Sequence, residues 1–235
     1  MATIQDFFTQ SPPFSIEALI QQFNLKNFVE TGTGIGDSVD YAVDKFENII
    51  SIEIHPEIAQ KASERFKDSN NVNIIEGHST DVLKEKVPQL EGNTLFWLDA
   101  HFPGADFKYA KYEDEKDPEK RIPLEGELKA ICDKKDVSAD VFLIDDLRVY
   151  EDGPYQGGNW ELRTSLGGSD IRFVEDLLKS THYIVKDYRF GGFLNIFPIP
   201  EDQKRSKKKP TPKKAAPKKA APKKAAPKKA APKKA

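Results

Sequence analysis

Residues 27–53 read NFVETGTGIGDSVDYAVDKFENIISIE, and this stretch decides the fold. Apolar residues lead into Glu30, which predicts a buried strand, and a 3.6-residue apolar period predicts a helix from about Asp37. The apolar face of that helix consists of Val39, Ala42, Val43 and Phe46. Between strand and helix lie three glycines, Gly32, Gly34 and Gly36. A second apolar run, residues 48–54, predicts another strand with one acid near its end, Glu53. These elements form a βαβ unit, whose crevice lies outside the carboxyl ends of its strands.

The spacing of the glycines indicates which ligand the crevice binds. A dinucleotide-binding turn has the pattern G-x-G-x-x-G, but here the third glycine comes one residue early, in E-T-G-T-G-I-G at 30–36. This turn resembles the first motif of class I S-adenosylmethionine-dependent methyltransferases. The alternative is an ordinary glycine-rich turn with an acid nearby by chance, since a glycine pattern alone is weak evidence.

The resemblance implies a set of cofactor-binding residues. In that family the acid before the glycines, here Glu30, lies near the amino-acid end of S-adenosylmethionine, and the acid that ends the second strand, here Glu53, holds the ribose hydroxyls. A carboxylate suits a diol because it accepts two hydrogen bonds. Residues after the third strand line the adenine, which gives His78 and Ser79, although Ser79 is equally suited to cap a helix. The full implied set is Glu30, Thr31, Gly32, Gly34, Gly36, Ser38, Glu53, His78, Ser79 and Asp99.

The rest of the chain continues the alternation of helices and strands. Helices are predicted at 15–23, 55–66, 123–134 and 169–179, and strands at 72–76, 93–100 and 139–146. Two β-rich runs around Gly191 and Gly192 predict a terminal hairpin, which matches the antiparallel last strand of class I methyltransferases. The predicted fold class is α/β, a Rossmann-like doubly wound sheet of seven strands with the last antiparallel. A charged insertion that contains aromatic residues follows the fourth strand and has the character of a lid or substrate loop.

Acidic residues follow the fourth and fifth predicted strands. The fourth ends in Asp99-Ala100-His101 and the fifth in Asp145-Asp146. Both ends should open on the crevice of the glycine turn. Three converging carboxylates repel one another unless a cation binds, and an all-oxygen site favours a hard ion such as Mg²⁺ or Mn²⁺. The alternative is that Asp145 and Asp146 are turn or cap residues.

These strand ends are similar to those of metal-dependent sugar O-methyltransferases of the macrocin O-methyltransferase type, which carry L-D-G-D-like and I-D-D strand ends. The match implies that Asp99, Asp145 and Asp146 bind the divalent cation, Mg²⁺ or Mn²⁺. It also implies that His101, which replaces the second aspartate of the pattern, is the general base, and that the acceptor is a carbohydrate hydroxyl, for instance of rhamnose. An unperturbed histidine, with a pKa of about 6.5, can take a proton at neutral pH, although a loop histidine without chemistry is the alternative. Arg148, Tyr150, Asn159 and Trp160 are candidates for contact with a sugar ring, or for simple loop packing.

The charge is divided unevenly along the chain. The sequence carries 36 Lys and Arg and 38 Asp and Glu, but fifteen of the basic residues and none of the acids lie from Lys204 onward. The first 203 residues therefore hold 21 basic residues and all 38 acids, a net charge of −17, and the remainder carries +15. Because its Pro-Lys-Lys-Ala-Ala repeats contain no large apolar residue, the tail, residues 204–235, is predicted to be disordered, and residues 1–203 to form one domain. The tail suits contact with polyanions, and its repeats are similar to those in proteins of large algal DNA viruses.

Several features limit the class of protein. The single cysteine, Cys132, provides neither a disulfide framework nor a CxxC site. No apolar run approaches membrane-spanning length and the N-terminus lacks a signal-peptide pattern, so a cytoplasmic protein is expected, in the host cytoplasm if the chain is viral. The alternatives to a sugar methyltransferase are a methyltransferase for nucleic acid or protein, and a non-enzymatic nucleic-acid-binding protein on the same scaffold. Both alternatives rest on the basic tail.

Overall fold

A computed structural model describes residues 4–9 and 15–206, and it is organised around a seven-stranded sheet. The strands are β1 Leu25–Thr31, β2 Asn48–Glu53, β3 Val72–Glu76, β4 Asn93–Leu98, β5 Val141–Ile144, β6 His182–Asp187 and β7 Phe193–Pro198. Their order is β3-β2-β1-β4-β5-β7-β6. The pairs among β1 to β5 are parallel, whereas β7 is antiparallel to both β5 and β6. The predicted Rossmann-like sheet of seven strands with the last antiparallel is confirmed.

Helices cover both faces of the sheet. They are α1 Ile4–Thr9, α2 Ile16–Phe23, α3 Asp37–Ala42, α4 Pro56–Arg65, α5 Ser79–Lys86, α6 Pro118–Arg121, α7 Leu124–Lys134, α8 Arg163–Leu166, α9 Arg172–Leu178 and α10 Glu201–Ser206. The helices predicted at 15–23, 55–66, 123–134 and 169–179 correspond to α2, α4, α7 and α9. The predicted helix face from Val39 to Phe46 is too long, because α3 ends at Ala42 and the chain then turns. Phe46 is nevertheless buried, since the turn folds it back into the core.

The core consists of two apolar layers, one on each face of the sheet. The first layer joins the sheet to α5, α7 and α9 and includes Val29, Leu83, Phe96, Leu128, Ile131, Phe142 and Val174. The second joins it to α1, α2 and α3 and includes Phe7, Ile16, Leu19, Phe28, Val39, Leu95, Trp97 and Leu143. Neighbours along a strand, such as Phe96 and Trp97, therefore belong to opposite layers. This explains why the central strands read as continuous apolar runs, as expected for a sheet covered on both faces.

The sheet brings the predicted site residues to one edge. The backbone N–H of Gly32 donates to the carbonyl of Ile52 at 2.9 Å, and that of Asp99 donates to the carbonyl of Thr31 at 3.1 Å. The N–H of Asp145 likewise donates to the carbonyl of Leu98 at 3.1 Å. The chain thus leaves β1, β4 and β5 at the same edge, and the residues that follow these strands face one another.

The last described helix lies at the predicted boundary between the domain and the tail. Helix α10 runs across the predicted boundary after Gln203, and the division into a domain and a disordered tail stays a prediction. Residues 207–235, which hold the repeats, lie outside the described residues, and disorder there stays a prediction.

Within the described part of the chain, no helix has the length and apolar character needed to cross a membrane.

Candidate active site

The glycine turn has a backbone that other residues adopt only with strain. Gly32, Gly34 and Gly36 have φ angles of +83°, +54° and +85°, in the left-handed region that favours glycine. A Cβ on Gly32 would lie 2.8 Å from the backbone oxygen of Asp99. The turn after β1 therefore contacts the end of β4 backbone to backbone, which brings Asp99 close to the turn.

Glu53 is fixed at the end of β2 by two backbone donors. The N–H of Gly34 donates to its Oε2 at 3.1 Å, and the N–H of His55 donates to its Oε1 at 2.8 Å. Burial raises the pKa of the Glu53 carboxyl, and these backbone donors oppose that effect. Each carboxylate oxygen retains a further lone pair, so the group can accept hydrogen bonds from a ligand.

A cleft opens beside the glycine turn, and we call it the glycine cleft. Among the predicted residues, its walls include Gly32, Gly34, Ser38, Glu53, His78, Ser79, Asp99 and His101. Ser79 is the first residue of α5, and the cap position before it is occupied by His78, which makes no side-chain capping hydrogen bond. The structure thus gathers residues from the ends of four strands, as the sequence predicted. Their contact with a cofactor stays a prediction.

Three predicted cofactor-binding residues lie behind the wall of the glycine cleft. Glu30 is 1% exposed and accepts a hydrogen bond from the Ser51 hydroxyl, and burial raises its pKa to about 8. Thr31 is fully buried, and Gly36 packs against the Phe66 ring. These residues pack behind the glycine turn and support it. Since its pKa is about 8, the Glu30 carboxyl is mostly neutral at pH 7.

His101 lies between two carboxylates. Its Nε2 is 3.2 Å from Oδ1 of Asp99 and 3.2 Å from Oδ2 of Asp146. Burial by itself lowers the pKa of His101, but the two carboxylates outweigh it and leave the pKa well above its ordinary value. For Asp146, burial raises the pKa, while His101 and Arg148 more than offset that and leave it low. The two carboxylates therefore favour the imidazolium form of His101, in place of the ordinary histidine pKa that was expected.

The three carboxyls predicted to bind Mg²⁺ or Mn²⁺ are not arranged as a metal site. Among residues 4–9 and 15–206, no group of three His, Cys, Asp or Glu side chains could hold a metal ion. Burial and the charges of Asp99 and Asp146 raise the pKa of Asp145 well above its ordinary value. Its Oδ1 accepts the N–H of Asp146 at 2.7 Å. Nε2 of His101 lies 3.2 Å from both Asp99 and Asp146, between the two carboxylates that were predicted to share the ion, and this arrangement does not fit a metal site.

A second cavity adjoins the first, and we call it the aromatic cavity. Its walls are formed by His101, Phe102, Asp106, Tyr112, Asp146, Arg148, Val149, Gly157, Trp160, Phe190 and Gly191. The ring centroids of Phe102 and Trp160 are 5.0 Å apart, and those of Phe102 and Tyr112 are 5.2 Å apart. The glycine cleft and the aromatic cavity share His101, Phe102 and Asp106. Ligands in the two spaces would thus meet beside His101.

Some residues of the aromatic cavity were foreseen and others were not. Arg148 and Trp160 line it, but Tyr150 is buried beside a different surface cavity, and the Asn159 side chain accepts the N–H of Gly153 at 2.8 Å. The sequence missed Asp106 and Tyr112, which lie in the insertion after β4. The only indication of them in the sequence was that a charged loop contains aromatic residues. The loop has no periodic pattern that would predict which of its side chains point into the cavity.

Backbone strain is concentrated in the aromatic cavity. Phe102, Asp146 and Phe190 have φ angles of +46°, +52° and +50°, although none is a glycine. A Cβ on Gly191 would lie 2.1 Å from Oδ1 of Asp146, so a larger residue there would displace the Asp146 carboxylate. Such conformations cost free energy and are found most often at functional sites.

The fold is that of class I S-adenosylmethionine-dependent methyltransferases. Methyltransferase PaMTH1 of Podospora anserina, in its SAH-bound crystal structure, is similar with a TM-score of 0.50 and 18% identity, over 78% of this chain and 76% of that one. SMU.1697c of Streptococcus mutans, in complex with SAH, is similar with a TM-score of 0.52 and 12% identity, over 78% of this chain and 95% of that one. No protein-family model and no curated protein sequence matches the chain. At such low identity these similarities establish the fold alone.

Proposed function

We propose that this protein is an S-adenosylmethionine-dependent O-methyltransferase whose acceptor is a carbohydrate hydroxyl. The observation that carries the proposal is the position of His101, which lines both the glycine cleft and the aromatic cavity. A methyl donor in the first space and an acceptor in the second would meet beside one titratable group. Holding donor and acceptor together in this way supplies much of the rate of a group transfer.

The glycine cleft has the features that the methyl donor requires. When bound, S-adenosylmethionine supplies an electrophilic methyl group on a positively charged sulfonium. Glu53 offers two carboxylate oxygens to the ribose hydroxyls, and the left-handed glycines let the ligand approach the backbone closely. Ser79 and His78 lie across the cleft, where they can contact the adenine.

Proton removal is assigned to His101. A positive charge in the glycine cleft disfavours the imidazolium form and so opposes the two carboxylates that raise the pKa of His101. The neutral imidazole of His101 can then accept the proton of the acceptor hydroxyl, whose oxygen would take the methyl group that the bound donor supplies. Asp99 and Asp146 stabilise the imidazolium that results. The products are a methyl ether and S-adenosylhomocysteine.

The aromatic cavity supports a hydroxylated ring as the acceptor. Trp160 and Tyr112 present apolar ring faces, whereas Asp106, Asp146 and Arg148 present acceptors and donors for hydroxyl groups. Asp106 is held in place by the Tyr112 hydroxyl, which donates to its Oδ1 at 2.9 Å. An apolar wall with a few convergent polar groups is the usual composition of a small-molecule site.

A divalent cation has no step in this proposal. Mg²⁺ or Mn²⁺ at Asp99 and Asp146 would have to replace His101 between the two carboxylates.

We also propose that the tail contacts polyanions, because its +15 charge is well suited to them. The tail is the reason to include nucleic acids and proteins among the acceptors tested.

The proposal is tested by transfer of a labelled methyl group. The purified protein is incubated with labelled S-adenosylmethionine and, separately, with monosaccharides including rhamnose, with a catechol, with DNA, with RNA and with a protein mixture. Label is expected on a monosaccharide, and His101→Ala should abolish that signal without preventing cofactor binding. Label on nucleic acid or protein, with none on any carbohydrate, would contradict the proposed acceptor.

A further inference from the structure

The insertion after β4 covers the glycine cleft. Phe102, Pro103, Gly104 and Phe107 all contribute to its lining. The Phe107 ring lies directly on the glycine turn, since a Cβ on Gly34 would be 2.8 Å from Cζ of Phe107. The cleft is therefore bounded by the glycine turn on one side and by an aromatic side chain of the insertion on the other.

The same segment is attached to the opposite side of the cleft. The ring centroids of Tyr109 and His55 are 4.5 Å apart, and the Lys61 ammonium donates to the Tyr109 hydroxyl at 2.6 Å. A Cβ on Gly104 would lie 3.2 Å from Cδ2 of His55. His55 is itself tied to the site, because its N–H donates to Glu53 at 2.8 Å. The segment thus spans from β4 to the beginning of α4.

We infer that Phe107 is a further cofactor-binding residue that covers S-adenosylmethionine in the glycine cleft, and that Tyr109 is a positioning residue that holds Phe107 there. The inference rests on the proposed cofactor. A ligand that contacts both the glycine turn and Glu53 in this cleft would lie beside the Phe107 ring, which would bury apolar surface of the ligand and exclude water. The contacts of Tyr109 with His55 and Lys61 resist opening of this cover. The cover therefore acts mainly on the rate at which the ligand leaves.

The test follows the dissociation of S-adenosylhomocysteine from the full-length protein by stopped flow, with affinity measured by calorimetry. Phe107→Ala is expected to raise the dissociation rate about 10- to 100-fold, which corresponds to loss of one buried phenyl contact, with little change in the association rate. Phe107→Leu keeps an apolar cover and should lie between wild type and Phe107→Ala. Phe107 itself belongs to neither core layer, so these variants should fold.

Tyr109 is tested by a graded pair of variants. Tyr109→Phe removes only the hydrogen bond from Lys61 and should raise the dissociation rate slightly, whereas Tyr109→Ala also removes the stacking on His55 and should raise it more. Tyr183→Phe is the matched control, because Tyr183 is a similarly exposed tyrosine on β6, at 40% against 41% for Tyr109. It should leave the dissociation rate unchanged.

Three outcomes contradict the inference in different ways. A dissociation rate in Phe107→Ala equal to that of wild type would show that Phe107 does not cover the ligand. Tighter binding by Phe107→Ala would show that the ring occupies the ligand's place. Failure of the wild-type protein to bind S-adenosylhomocysteine would overturn the proposed function together with this inference.

Discussion

The Nε2 atom of His101 lies 3.2 Å from Oδ2 of Asp146, at the junction of the glycine cleft and the aromatic cavity. Asp146 is in the left-handed region with a φ of +52°, so the chain strains its backbone after β5 where this contact forms. The pair, together with Asp99, forms a buried charge network in which the histidine is the cation. It is the chemical centre of the proposed site.

His101→Ala should lower the turnover rate about 10²- to 10⁴-fold without weakening the binding of S-adenosylmethionine, because the proposed role of the residue is to take the proton. In the wild type, kcat/KM should rise with pH through the pKa of His101, which lies well above its ordinary value, since the base must lose its proton to act. Steady-state kinetics from pH 6 to 10 measure both effects. A wild-type profile that is flat across this range would argue against His101 as the base.

Chelation should leave methyl transfer intact, because His101 already supplies a positive charge between Asp99 and Asp146. Asp145→Asn should also be tolerated, since the raised pKa of the buried Asp145 favours its neutral form and Asn has nearly the same shape. Asp146→Asn removes a charge that stabilises the imidazolium and should slow turnover. Initial rates with EDTA, and with Mg²⁺ or Mn²⁺ added back, provide the measurement. Loss of activity in EDTA that is restored by either ion would mean that a metal displaces His101 during turnover.

Glu30 should make the protein less stable as pH rises. Burial raises its pKa from 4.5 to about 8 in the folded protein, so the folded state binds a proton that the unfolded state releases. The contribution of this group to the free energy of unfolding is fully present below about pH 4.5. It is lost as the pH rises from there to about 8, with a slope of at most about 1.4 kcal/mol per pH unit. Glu127, whose pKa burial raises to about 7, acts in the same direction.

Urea unfolding at several pH values tests this assignment. Glu30→Gln should flatten the decline of the free energy of unfolding between pH 5 and 8, because glutamine does not titrate. Glu57→Gln, at an exposed position of α4, is the matched control and should keep the wild-type slope. An unchanged slope in Glu30→Gln would mean that this carboxyl is ionised in the folded protein.

Removal of residues 207–235 should leave the melting temperature and the turnover of a small acceptor nearly unchanged, because this truncation keeps α10 and both core layers. It should abolish binding to DNA or other polyanions at low salt, and binding by the full chain should weaken steeply with salt, since exposed charges are screened over about 8 Å at physiological ionic strength. Calorimetric melting and binding measured against salt concentration check both points. A truncated protein that unfolds or loses turnover would show that the tail belongs to the enzyme.

The sequence predicted the sheet well because apolar runs and glycine turns are local signals. Parallel strands end at one edge, so Glu53, Asp99 and Asp146 could be gathered at the site without knowledge of any side-chain contact. The ion pair of His101 with Asp99 and Asp146 could not be foreseen in this way, because it depends on the side chains packed around each group. The positions of Tyr112 and Phe107 were not predicted for another reason, because the sequence of their loop has no periodic pattern of apolar residues.

Binding of S-adenosylmethionine by the glycine turn and Glu53 is the central requirement of the proposed function. Calorimetric titration of the wild type and of Glu53→Ala with S-adenosylmethionine and with NAD tests it most directly. The account predicts binding of the methyl donor to the wild type, weaker binding by about 1–3 kcal/mol in Glu53→Ala, the range for a hydrogen bond to a charged group, and little binding of NAD. Preference for NAD, or equal affinity of the two proteins for the methyl donor, would contradict it.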